Sequence, residues 1–549
     1  MDLRRLGGMA VIFALLLPAL ADAKKKTKPE EGGETMTFTP EETGAAKAKR
    51  AAVIDEKAAA GTASKVLDSA LKLYEKEDYY SATIGLNKVM EGQTTDDEIN
   101  RQRAEFFMGK ALFNMGYYSA SLSYFDRIVQ RGGEHHYYAK TLQWLASLSQ
   151  KLPESAGVLD KIGKYTREDL DQPALESVRD QLFFLLGRYH YTKGNFKEAV
   201  GLFQALPEAS EFYARAKFFE GITYVRQYQA QPAAEAFKAI LRKAKEHPDK
   251  ATQEFEELAN ISLARTFYSL SQFDKAVKYF DRVPTESADW LASLFESAWA
   301  QFQIDGDSKA LGNIHSINAP FFENEFYPES LILKAVIYFQ RCNYELAMAA
   351  VAEFNETYPG LKKDIEKVIN KYPDNAAFYK YVLRIRRGES GLPDRVQRAA
   401  EGALSDKTLV KTLDYVAELD RELHQVEKSD PAWKSTAIAG NILQDLTLQQ
   451  SLAQNDAGTM ARDRLKRLST EIQELVKQAL KIEYETLNAQ KGVLEASLRS
   501  EQSVASGTAR KNAEVVADDE HEKWPFDGEY WQDELGYYKS RIVNKCSAK

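Results

Sequence analysis

Cysteine is almost missing from this sequence: Cys342 and Cys546 are the two in 549 residues. Two thiols cannot make a disulfide scaffold, and sequence alone does not say whether they pair. In an oxidising compartment they are able to form one bridge, but free thiols are the favoured expectation. Histidine is also scarce, with seven residues. The adjacent pair His135 and His136 cannot share the side of a helix that a metal site needs, so both read as surface or packing residues. The chain has no GxxxxGK[ST] loop, no G-x-S-x-G elbow and no H-E-x-x-H pair, which removes the usual apparatus of phosphate cradling, acyl transfer and zinc hydrolysis. Asp96 and Asp97 are of a kind common at helix starts. Cys342 falls at a turn, with nothing nearby to depress its pKa. No catalytic residue, cofactor or metal ligand is therefore assigned, and the chain is expected not to be an enzyme.

Basic excess is missing too. The net charge is −8, and removing a leader that carries Asp2, Asp22, Arg4 and Arg5 leaves it unchanged, which gives no support to nucleic-acid binding. A membrane-length apolar run is also absent. Arg4 and Arg5 precede an apolar stretch from Met9 to Leu20, followed by Ala21-Asp22-Ala23 with small residues where a signal peptidase reads. The stretch is shorter than the ~20 residues of a bilayer span. Residues 1–23 are read as a cleavable signal peptide, with no integral span in the mature chain and export to the periplasm or cell envelope. No cysteine follows the cut, so lipid anchoring is not expected, while Lys24, Lys25, Lys26 and Lys28 just beyond it suit shifted or incomplete cleavage. Residues 24–62 have almost no large apolar side chains and cannot repay the entropy of ordering, so they read as a disordered linker.

What is present in quantity is apolar material, 44% of the chain, in short helical segments broken by Gly, Pro, Asn or Asp. The segments repeat. Gly187, Gly194, Phe196, Ala199, Phe203 and Leu206 before Pro207 form the clearest unit. The same offsets give Gly221, Tyr224, Ala233, Phe237 and Ile240. They recur at Ala264, Phe267, Phe273, Ala276, Phe280 and Val283 before Pro284, and again at Ala335, Tyr338, Tyr344, Ala347, Val351 and Phe354. Weaker copies start at Gly109 (with Gly116, Tyr118, Ser121 and Phe125) and at Ala298 (with Ala310 and Ile314), and the poorest at Leu71 and Ala146. Successive starts lie 38, 37, 41, 34, 43, 34 and 37 residues apart. A small residue in each helix of a pair lets the two approach closely, and the aromatics fill the space between neighbouring pairs.

These offsets resemble the tetratricopeptide repeat family, over roughly sixty per cent of the chain. The early large aromatic of the first helix is mostly absent, and the terminal proline occurs only at Pro207 and Pro284. The resemblance implies an all-α fold, a solenoid of about eight helical hairpins over 63–388, that works by holding other proteins. In such a solenoid the first helix of each pair lines the concave side. The residues one, four and five after the small residue point into it: Lys110, Phe113, Arg188, Tyr191, Arg226, Arg265, Tyr268, Trp299 and Phe339. A basic, aromatic groove of this kind suits an extended carboxylate-bearing peptide. The plainer reading makes them solvated charges and core edges.

The pattern changes after the stretch from Gly388 to Pro393. Leu409, Leu413, Val416, Leu423 and Val426 form one heptad stripe, and Leu465, Leu468, Ile472, Leu475, Ala479 and Ile482 another. Pro431 and the stretch from Asn455 to Gly458 are expected to divide the helices. Residues 394–500 therefore read as a helical hairpin or bundle capping the solenoid, or as a surface for homo-oligomerisation. Residues 501–549 begin polar and end aromatic. Trp524, Phe526, Tyr530 and Trp531 are costly to leave in water and are expected to dock on this chain or on a partner.

The order of leader, basic linker, degenerate repeats, helical C-terminal part and closing aromatic segment looks like that of the periplasmic tetratricopeptide proteins of myxobacterial adventurous gliding motility. That likeness implies a scaffold within a cell-envelope complex that links inner-membrane motor components to the outer membrane. The alternative is an assembly factor for outer-membrane proteins, pili or a secretion system.

Overall fold

Gly187 and Phe203 show why the hairpins form. A Cβ added at Gly187 would lie 2.6 Å from the Phe203 ring, and one at Gly109 2.8 Å from the Phe125 ring, sixteen residues on in both cases. The aromatic of the second helix therefore lies flat on bare backbone of the first. Both rings are fully buried.

The computed structural model describes residues 61–246, 250–322, 325–500 and 526–546. The signal-peptide reading, nearly all of the linker and Trp524 lie outside them. The described residues are all-α, without a strand. Helices α1 (Lys65–Glu75) and α2 (Tyr79–Met90) form the first hairpin, and α3 (Glu98–Asn114) and α4 (Tyr118–Arg131) the second. In the third, α5 (Tyr138–Lys151) is followed by two fragments, α6 (Val158–Ile162) and α7 (Arg167–Leu170). Pro153, Gly157, Gly163 and Pro173 punctuate that stretch, which is why the repeat is weakest there. Hairpins α8/α9 (Arg179–Lys193, Phe196–Gln204), α10/α11 (Tyr213–Arg226, Ala230–Glu246), α12/α13 (Lys250–Ser269, Phe273–Phe280), α14/α15 (Trp290–Gln303, Asp307–Ile317) and α16/α17 (Glu329–Gln340, Tyr344–Asn370) follow. After them come α18 (Asn375–Arg386), α19 (Asp394–Leu404), α20 (Lys407–Lys428), α21 (Pro431–Lys434) and α22 (Ala437–Ser500).

The turns inside the hairpins share one device. The residue two before the second helix is left-handed: Glu77, Gly116, Gly194, Tyr228, Ser271, Asp305 and Cys342, with φ between 55° and 82°. In the last hairpin the Cys342 and Asn343 amides donate back to the carbonyls of Phe339 and Tyr338, which closes the helix end as a Schellman motif does. Only the two glycines announce this in the sequence.

The chain divides into two compact units. In the first, described over 61–223 and 407–457, α20 meets the N-terminal end of α4. Glu422 on α20 is fully buried and accepts from the Ser119 and Ala120 amides at 2.5 and 3.2 Å. Arg421 donates to the Gly116 carbonyl and Gln425 to that of Met115, both at 2.7 Å. Trp433 of α21 stacks on Tyr117 and donates its indole N–H to Thr83 at 3.0 Å. The first heptad stripe thus packs within its own unit, with Leu409, Val416 and Val426 buried.

The second unit comprises 224–406 with the described parts of 458–549. The second stripe, Leu465 to Ile482, is buried here. The expected break between Asn455 and Gly458 is absent, because α22 is continuous through it. Gly458 is a packing glycine: a Cβ there would lie 2.1 Å from the Asn375 carbonyl oxygen. One turn on, Arg462 donates to the Ile369 and Tyr372 carbonyls and sits 4.3 Å over the Phe378 ring, so it caps the C-terminal end of α17. The separate helices expected on either side are one element.

Two predictions follow from this packing. Gly187→Val forces a methyl into a buried ring and should cost about 1–3 kcal/mol in urea unfolding, whereas Gly201→Ala, whose Cβ meets nothing within 4 Å, should not destabilise. Burial pushes the Glu422 carboxyl up to about 7 despite its two amide donors. The folded chain then holds that proton more tightly than the unfolded one. The Glu422 contribution to stability is greatest below the ordinary carboxyl value of 4.5 and is lost as pH rises through about 7, by ~3 kcal/mol. Glu422→Gln should flatten that slope in unfolding curves recorded between about pH 5 and pH 8.

Candidate interaction surfaces

Among the groove residues of the first unit, Lys110 lies over the rings of Tyr74 and Phe107, at 5.0 and 4.3 Å from their centroids. Phe113 packs edge-on against Tyr118 and Trp144. Arg188 is ion-paired to Glu154 and lies 4.8 Å over Phe219, which also meets Tyr191. Against the opposing effect of burial, Arg188 and Lys411 hold the Glu154 carboxyl below its ordinary value, so it is already satisfied. In the second unit Arg226 closes α10, half-buried. Arg265 makes a bidentate pair with Glu296, with N···O distances of 2.8 and 2.6 Å. Tyr268 and Trp299 are buried, and Phe339 packs on Tyr344.

The cations therefore act between hairpins. Arg188–Glu154, Arg265–Glu296 and Arg341–Asp307 are separated by 34, 31 and 34 residues, about one repeat each, whereas Arg131–Glu98, 33 residues apart, joins the two ends of the second hairpin. His136 N–H to Gln102 and Gln181 to the Ala146 carbonyl are 34 and 35 residues apart. Arg188 and Arg265 spend their charge on internal carboxylates, a use that spacing from the small residue does not reveal. His135 is likewise internal, 3.5 Å from Glu105.

The aromatic tail builds a second feature within the second unit. The rings of Phe526, Tyr530 and Tyr538 surround His315 of α15, with centroids 4.7, 4.9 and 4.8 Å away. Burial, helped by Lys334, pushes the His315 pKa down. The Gly536 amide donates to Ser316 Oγ at 2.8 Å, and its carbonyl accepts from Lys309. Further on, the Ser540 amide donates to the Ser308 carbonyl at 3.0 Å and the Lys545 amide to that of Arg341 at 2.9 Å. Asn343 donates to the Val543 carbonyl at 2.7 Å. Cys546 then closes a disulfide with Cys342, so the expectation of free thiols is corrected. Backbone hydrogen bonding brings the two sulfurs together, which no sequence spacing predicts. Trp531 stays exposed.

This strap depends on Gly312. A Cβ there would lie 1.7 Å from the Tyr538 carbonyl oxygen, so the strap backbone rests on bare α15 backbone. A glycine inside a helix is the one sequence signal that pointed to such a crossing. Among the described residues, no group of three potential ligand side chains can hold a metal ion, and no helix is long and apolar enough to cross a membrane.

Together these features define an all-α array of helical hairpins. No family model and no curated protein matches the chain. Among solved structures, it is similar to a tetratricopeptide repeat protein from Parabacteroides merdae, at 12% identity over 53% of this chain and 91% of that one, with a TM-score of 0.25. It is also similar to the apo form of RapI, at 13% identity over 66% and 98%, with a TM-score of 0.32. Overlaps this loose carry no functional argument, and the repeat architecture rests on the hairpins themselves.

Gly312→Val should lift the strap from α15 while leaving the hairpins folded. The expected result is new tryptic cleavage after Lys539 and Arg541 with little change in the thermal midpoint.

Proposed function

We propose that this chain is an exported protein–protein interaction scaffold of the cell envelope. The observation that carries the reading is the repeated tie between hairpins. With ion pairs and hydrogen bonds recurring one repeat apart, equivalent positions of successive hairpins face outward on a stiff support, the arrangement by which repeat proteins hold partners. The signal-peptide-like start and the Cys342–Cys546 bridge favour an oxidising compartment such as the periplasm.

The narrower reading is a structural component of a gliding-motility machinery that connects inner-membrane and outer-membrane proteins. Its support is the layout of leader, basic linker, degenerate repeats and closing aromatic segment. An assembly factor for outer-membrane proteins, pili or a secretion system would use the same hairpins.

The test is affinity capture of the tagged protein from crosslinked cells that make it, followed by mass spectrometry. Motor and outer-membrane motility proteins should be enriched. Enrichment of general outer-membrane assembly or secretion proteins would replace the gliding reading, and a catch without any envelope protein would refute the scaffold itself.

A further inference from the structure

Helices α11, α12 and α13 enclose a cleft of about 300 Å³ that belongs to none of the surfaces above. It is lined by Lys238 of α11, Phe267 of α12, Lys275, Lys278 and Tyr279 of α13, and Arg282 just beyond. The two rings stack, with centroids 5.4 Å apart and planes 13° apart. Lys275 lies 5.4 Å from the Phe267 centroid and Arg282 4.7 Å from that of Tyr279, so both rings carry a cation.

The charge of this cleft is largely uncompensated. Lys238 pairs with Glu235 at 2.9 Å, and Lys275 donates to the neutral Gln272 at 2.8 Å. Among the described residues no carboxylate forms an ion pair with Lys275, Lys278 or Arg282, and Asp281 instead feels Lys309. The lining holds four cations and no carboxylate, which makes the cleft locally positive on a chain of net charge −8. Elsewhere Arg188, Arg265 and Arg341 are each matched to a carboxylate about one repeat away, which Lys275, Lys278 and Arg282 are not.

We propose that the cleft binds an extended acidic segment of a partner protein. Lys275 and Lys278 lie about one turn apart on α13, about 4.5 Å along its axis at 1.5 Å per residue, and Arg282 follows two residues beyond the helix end. Alternate residues of an extended peptide stand about 7 Å apart on one side, so two carboxylates at i and i+2 fit along these cations. A compact phosphate would engage one end only. The apolar stems of the acidic side chains meet the edges of Phe267 and Tyr279, whose faces are occupied. This inference rests on the scaffold reading and names the chemistry of one partner.

The experiment is fluorescence anisotropy of a labelled octapeptide of alternating Glu and Ser, titrated with the full mature chain at about 50 and about 300 mM salt. The proposal expects binding that weakens with salt, falls at least about tenfold in Lys278→Glu/Arg282→Glu, and is unchanged in Lys197→Glu on α9. No binding by the wild type, equal binding by the double variant, or binding of tripolyphosphate without the peptide would overturn it. Crosslinked capture with the double variant separates the two readings. Loss of an acidic partner from an otherwise intact catch supports the cleft. An unchanged catch removes the cleft and leaves the scaffold standing, whereas no envelope partner with either protein removes the scaffold.

Discussion

The structure depends on an aromatic ring lying on bare backbone. Gly109 and Gly187 leave room for Phe125 and Phe203, and each of those contacts sets how closely the two helices of a hairpin approach. Once that distance is fixed, one edge of the hairpin remains apolar and the next hairpin must cover it. The ion pairs one repeat apart come afterwards in the causal order. They need the stacked geometry to exist, and they then fix how far each hairpin can slide on the last.

That order explains what could be read from the chain. Small residues and aromatics at fixed offsets are backbone requirements and remain visible even in degenerate copies, so the hairpins after Ala264 and Ala335 were legible. The use of a charged side chain was not. Arg188 and Arg265 stand at positions expected from their spacing to face a groove, but their destination depends on whether Glu154 and Glu296 stand opposite, which the periodicity of one helix does not contain. Glycine was ambiguous for a related reason. At Gly458 and Gly312 it marks a close crossing by another part of the chain, and only the partner distinguishes that use from a helix break.

The left-handed turn residues add a separate lesson. The hairpin turn constrains the backbone and leaves the side chain undetermined, so Glu77, Tyr228, Ser271 and Asp305 occupy one position without sharing chemistry. Cys342 fills that position in the last hairpin, where its sulfur meets the end of the strap. A turn indifferent to side-chain identity is therefore the place where a covalent link was added without disturbing the repeat.

That link also decides where a pull on the carboxyl terminus is felt. The bridge closes a covalent ring across a separation of 204 residues, from the turn before α17 to the strap. Tension applied beyond Cys546 enters the backbone at Cys342, and the helices from α17 to α22 stay outside the line of load. Mechanically, the chain is anchored at its eighth hairpin although its last residue lies far beyond it.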